Sequence, residues 1–229
     1  MEAEMKEIPG IKWKEITKKT EGAEGNSLEY RIMSPELDIA GSTGRRLQRY
    51  YDRTAQVWAE RWKRLACRPD GPRRCSLSGR TALSGSRYLS IRMEAVEEDG
   101  NGRENLVCWG DVWDLELGRP VPRRKLLPGG KRRTGEELLK QGRERKTAGL
   151  WFPDRGWEEK ALGYYHKTSA YLTEAGTVLI YPQGLLAPPA EGTPEFLISF
   201  GSIRGNIPWA CSAPEPEKEP EDPKARQEA

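Results

Sequence analysis

The segment RRLQRYYDRTAQVWAERWKRL, residues 45–65, decides the fold. Leu47, Tyr50, Tyr51, Thr54, Val57, Trp58, Arg61, Trp62 and Leu65 recur at three- and four-residue steps, so an α-helix places them on one broad, aromatic-rich face. Such a face needs a cover. Downstream, apolar residues alternate around Leu89, Ile91 and Met93, around Val107, Trp109 and Trp113, and around Tyr171, Val178 and Ile180. That is the period of a sheet with one buried face. The pattern predicts an α+β fold: a long amphipathic helix packed on a mostly antiparallel sheet, with a second short helix and a disordered C-terminal tail.

Composition says what holds such a fold together. Hydrophobic residues make up 36% of the 229 and charged residues 32%, so the eight Trp and eight Tyr must supply much of the core. Each ring, fully buried, removes roughly 150–250 Å² from water. One core suffices at this length, and a single domain over residues 1–211 is expected. The net charge of +3 is too small to demand a polyanionic partner. Cys67, Cys75, Cys108 and Cys211 match no common zinc spacing and read as free thiols of a reducing compartment. Residues 1–10 lack the basic and apolar runs of a secretory signal, and no stretch approaches the roughly 20 apolar residues of a membrane span. A cytoplasmic location is expected.

Around the helix, Ile11 to Ile16 and Leu28 to Ile32 alternate as an opening hairpin, with Ser34-Pro35 stopping its second strand. Gly41-Ser42-Thr43-Gly44 offers hydroxyls for a helix cap. The Gly-, Pro-, Ser- and Arg-rich stretch from Cys67 to Ser86 reads as a mobile excursion. Strands from Arg87 to Val96 and Leu106 to Leu117 flank Asp99-Gly100-Asn101-Gly102, a strong turn signal. Thr134 to Leu139 starts a helix weakened by Gly142 and Gly149, and Trp157 to Tyr165 reads as a short helix. Strands at Ser169–Thr173, Thr177–Tyr181 and Glu195–Phe200 follow. From about Ser212 the composition cannot bury enough apolar surface to offset chain entropy.

Several pieces stand in a recognisable order: Tyr50-Tyr51 and Trp58 in the helix, Tyr88-Leu89-Ser90-Ile91, Trp113-Asp114-Leu115 with Gly118-Arg119-Pro120, Tyr171 to Gly176, and Ala187-Pro188-Pro189-Ala190-Glu191-Gly192. Over about residues 8 to 200 the chain resembles the bacterial domain of unknown function found in the extracellular part of the anti-sigma factor RsiV and in the peptidoglycan deacetylase PdaC. The resemblance implies a helix on an antiparallel sheet. It implies no enzyme and no cofactor, since in the sensor the similar domain binds a protein and in the deacetylase it accompanies a separate catalytic domain. The expected role is a non-catalytic binding or scaffold domain for a protein or cell-wall-derived glycan.

The candidate chemistry is sparse. His166 is the only histidine and reads as structural or surface. Strand alternation puts Asp114 and Glu116 on one face and Asp111 on the other, a poor start for a carbohydrate-active hydrolase. Gly129-Gly130-Lys131 lacks the rest of a phosphate loop. Trp58 and Trp62, four apart on the buried stripe, read as core. The basic residues Arg123, Arg124, Lys125, Lys131, Arg132 and Arg133 carry the main rival to protein or glycan binding, because they could contact phosphates or an acidic partner and so associate with nucleic acid.

Overall fold

A computed structural model describes residues 11–21, 27–68, 71–127 and 130–200. Five long strands and a two-residue sixth form the first sheet: β1 (Ile11–Glu21), β2 (Ser27–Leu37), β3 (Arg74–Ser84), β4 (Tyr88–Glu98), β5 (Glu104–Asp114) and β6 (Arg119–Pro120), in that spatial order. All neighbours are antiparallel except β2 and β3. Those two are joined by α1 (Gly41–Ala66), and a crossover helix is what a parallel pair requires. The 26 residues of α1 span about 39 Å. Each 11-residue strand reaches about 36 Å, so helix and strands match in length.

Leu47, Tyr51, Trp62 and Ala66 of α1 are buried against Leu28, Tyr30 and Ile32 of β2, Leu77 of β3, and Leu89, Ile91, Met93 and Ala95 of β4. Trp62 is fully buried, and its Nε1 donates to Glu97 at 3.2 Å. The lateral edges of the predicted stripe depart from expectation. Val57 is 52% exposed and Tyr50 38%, while Trp58 is only partly buried. The helix is narrower than the apolar arc written into it. Its start also differs: Ala40 is the N-cap, and no side chain caps the helix.

The stretch expected to wander is largely a strand. Cys75 and Leu77 of β3 point into the helix-facing core, and the strand is paired along both edges at its start. Its serines and Gly79 disguise it; a side chain at Gly79 would collide with Met93 and with the Trp13 indole. Pro35 does not end β2, which runs to Leu37. Pairing with β3 stops at Ile32, so the proline removes no hydrogen bond from that ladder. The turn between β4 and β5 is as expected, with Asp99 Oδ1 accepting from the Asn101 and Arg103 amides and Gly102 at φ +74°.

The other face of the sheet is covered over β3, β4 and β5. A second antiparallel sheet, β7 (Ser169–Leu172), β8 (Gly176–Ile180) and β9 (Glu195–Ser199), packs on it through Tyr171, Val178 and Ile180. Outside this second sheet lie α2 (Arg123–Leu126), α3 (Gly130–Thr147) and α4 (Trp157–Tyr164). The helix α3 runs through Gly142, whose low helix propensity has a packing counterpart. This glycine gives the Trp157 ring the room that a β-carbon would fill. The proposed tail, with Cys211, lies outside the described residues.

Candidate binding groove

A helix with its side chains is about 10–12 Å wide, whereas five strands about 4.8 Å apart make a broader floor. Both flanks of α1 therefore leave sheet to be dealt with, and the sequence treats them differently. On the β5 flank, aromatic residues fill the gap. Trp58 stacks on Trp109 at 5.9 Å and 15°, and Tyr50 meets Trp113 edge-on at 5.3 Å. The Tyr50 hydroxyl donates to Asp111 at 2.9 Å and Trp109 Nε1 donates to the same carboxylate at 3.2 Å. Burial pushes the Asp111 carboxyl up to about 6, against these donors, and also raises the Tyr50 hydroxyl.

On the β1 flank α1 presents Gln48, Asp52, Ala55, Gln56 and Ala59, which are small or polar, and the gap stays open as a groove of about 830 Å³. Tyr30, Ile32 and Ser34 of β2 line it together with Lys12, Lys14, Ile16 and Lys18 of β1. The register pairs Lys14 with Ser34, Ile16 with Ile32 and Lys18 with Tyr30. Gln48 pins one end, accepting from the Leu37 amide at 3.1 Å and donating to Pro35 O at 3.2 Å. Ser34 is 7% exposed, yet its hydroxyl has no hydrogen-bond partner among the described residues. A buried unsatisfied hydroxyl costs about 1–3 kcal/mol. The volume lies within the roughly 300–1,000 Å³ range of ligand sites.

The remaining polar clusters tie the layers together. Arg92 of β4 donates to Glu195 of β9 at 2.7 Å and to Glu94 at 3.0 Å, and Tyr171 donates to Glu195 at 2.7 Å. Cys108 lies within this network, and burial lifts its thiol to about 11, away from thiolate reactivity. Glu97 is held below the usual carboxylate range: burial opposes ionisation, but hydrogen bonds from Arg61, Asn105 and Trp62 outweigh it. Arg87 pairs with both Asp114 and Glu116, while Asp111 is separately engaged by Tyr50 and Trp109. Among the described residues, no three His, Cys, Asp or Glu side chains gather as a metal site would need.

The basic residues singled out in the sequence fall at the start of α2 and of α3, and none of them lines the groove. Arg123 is partly buried, donating to Thr168 O at 2.9 Å and to Thr168 Oγ1 at 2.6 Å, with its guanidinium 4.7 Å from the Tyr165 ring centroid. Arg124, Lys125, Lys131, Arg132 and Arg133 are exposed, and Arg132 pairs with Glu136 at 3.1 Å. His166 is exposed beside the Tyr165 ring. Sequence reasoning missed the groove. Its signal was the run of Lys12, Lys14 and Lys18 on alternate positions of a strand whose partner carries Tyr30 and Ile32.

Among the described residues, no helix is long and apolar enough to cross a membrane. No protein-family model matches the chain, and no curated protein matches it by sequence. Solved structures do. A DUF3298 family member from Bacteroides fragilis NCTC 9343 superposes with a TM-score of 0.59 at 11% identity, over 89% of this chain and 96% of that one. A DUF3298 family protein from Pseudomonas aeruginosa PAO1 gives 0.60 at 12% identity, over 86% and 93%. At these identities the likeness concerns architecture, and the chain shares the fold of these two DUF3298 structures.

Proposed function

We propose that residues 1–211 form one non-catalytic binding or scaffold domain, akin to the accessory domain of RsiV and PdaC, that recognises a protein or a cell-wall-derived glycan in the groove between α1 and β1. The groove carries this reading: one flank of the helix is sealed with aromatic rings, while the other is left open beside a buried hydroxyl that has no partner among the described residues. A cytoplasmic setting is part of the proposal, in keeping with thiols at Cys67, Cys75 and Cys108 that are not disulfide-bonded. The test is a glycan array and a peptide-display library probed with the wild-type chain and with Ala59→Trp, which fills the groove. Binding that disappears in Ala59→Trp without a change in melting temperature supports the reading. Ligands bound equally by both proteins, or turnover of any ligand, would overturn it.

A second reading is nucleic-acid association through Arg124, Lys125, Lys131, Arg132 and Arg133. It is favoured by the first turn of α3, which holds basic and no acidic residues at the positive end of the helix dipole, although Arg132 is paired with Glu136 one turn on. Phosphate binding there would weaken steeply with salt. Titration with mixed DNA and RNA decides it, since no association at low salt removes this reading.

A further inference from the structure

We propose that the groove takes an extended acidic segment of a protein partner, with carboxylates at alternate positions meeting Lys12, Lys14 and Lys18 and one of them accepting from the Ser34 hydroxyl. This rests on the groove being the recognition surface and names what it recognises. Three observations converge. First, the lysines lie on one face of β1, so Lys12 and Lys14 are spaced about 7 Å apart and Lys12 and Lys18 about 20 Å apart. The side chains of an extended peptide repeat at the same interval, because both are pleated chains. Second, Lys14 and Ser34 are cross-strand partners, with β-carbons about 5 Å apart. The Lys14 side chain thus starts beside Ser34, and a turn of the Ser34 side chain toward the groove would let one carboxylate accept from both. Third, the hydroxyl is buried and unsatisfied, so a ligand acceptor removes an existing cost.

The same lining argues against the other polymers. Glu36, Asp38 and Asp52 also line the groove, three carboxylates against three lysines. A nucleic acid, charged at every unit, would be repelled by that end. Lys12 faces Glu36 across the strand pair, but Lys14 and Lys18 face Ser34 and Tyr30, and a neutral glycan would bring those two no counter-charge. A peptide can place acidic side chains toward β1 and a basic or neutral residue toward Glu36, Asp38 and Asp52. Ile16, Ile32, Ala55 and Ala59 give the intervening side chains apolar surface.

The experiment is fluorescence anisotropy on the full chain with four labelled probes: a decapeptide of alternating Glu and Ser, its Lys-Ser counterpart, a ten-nucleotide oligothymidylate, and a muropeptide-bearing glycan fragment. The Glu-Ser peptide should bind and weaken with salt. Lys14→Glu should lower its affinity by at least about tenfold and Ser34→Ala by a few-fold, while Arg133→Glu should leave it unchanged. Both groove positions can be altered without disturbing the core, since Lys14 is exposed and the Ser34 hydroxyl makes no bond. If the glycan binds, is lost in Ala59→Trp, and the Glu-Ser peptide does not bind, the groove remains the recognition surface and the acidic-peptide inference falls. If oligothymidylate binds as well as the peptide and loses affinity in Lys14→Glu, the inference also falls. If the peptide binds equally to wild type, Lys14→Glu and Ala59→Trp, both readings fall together.

Discussion

Trp58 and Trp62 stand one helical turn apart and predict very different costs of truncation. Trp62 is fully buried, packs against Tyr30 at 5.9 Å and donates to Glu97. Removing a Trp from a packed core costs about 3–5 kcal/mol. Leaving the buried Glu97 short of one donor adds about 1 kcal/mol, placing Trp62→Ala near the top of that range. Trp58 is partly exposed, so only part of its transfer energy is at risk, together with an aromatic contact to Trp109 worth about 0.5–1.5 kcal/mol. Trp58→Ala should cost about 2 kcal/mol. At roughly 2–4 °C per kcal/mol for a domain of this size, the melting temperature should fall by about 4–8 °C for Trp58→Ala and by about 8–20 °C for Trp62→Ala. Urea titrations followed by circular dichroism give the free energies independently. The sequence alone treats the two rings as equivalent, so equal losses, or a larger loss for Trp58→Ala, would refute the packing described.

Other substitutions probe the remaining layers. Asp111 titrates near 6 in the folded chain, above its usual 3.8, so the folded state holds the proton more tightly and stability declines as pH rises from about 4 to about 6. Asp111→Asn, whose single amide oxygen can accept from Trp109 while its NH2 donates to the Tyr50 hydroxyl oxygen, should raise stability at pH 8 by up to about 2–3 kcal/mol and do little at pH 4; a pH series of urea midpoints showing no such divergence would count against the buried carboxylate. Glu97 has the opposite sign, because its lowered value makes its contribution present above the ordinary carboxylate range and lost on acidification. Arg61→Ala should therefore flatten the acid limb of the stability profile. Gly142→Ala should destabilise by about 1–3 kcal/mol through its clash with Trp157, despite the higher helix propensity of alanine. A rise in melting temperature would show that α3 and α4 are not in close contact.

The helix and most strands were legible because each carries an apolar face at its own period. The 45–65 stripe, the 99–102 turn and the Ser169–Tyr181 pair all stand in the fold. What escaped were places where packing overrides local pattern. β3 is written in Ser, Gly and Arg, yet it is central because the chain must return parallel to β2 after α1. The face of β4 that carries Ser90 and Arg92 looks solvent-facing, yet a second sheet covers it, with Ser90 Oγ accepting from the Leu172 amide and Arg92 donating to Glu195. Polar side chains can be buried when they are bonded, and periodicity has no way to report the bond. Gly142 read as a weak point of its helix because the Trp157 ring packed on it comes from a separate element. The groove was hidden because it depends on the width of a helix relative to a sheet and on which flank receives the rings. The lysines of β1 gave a sign of it, but only beside the apolar face of β2.

The most direct measurement is hydrogen exchange on the full chain with and without the alternating Glu-Ser peptide. Slower exchange confined to β1, the Ile32–Leu37 end of β2 and residues 48–59 of α1 is the predicted result, because those segments line the groove. Protection appearing instead at Lys131–Arg133, or around Tyr50 and Trp109 with β1 unchanged, would contradict the assignment of the open flank of α1 as the recognition surface.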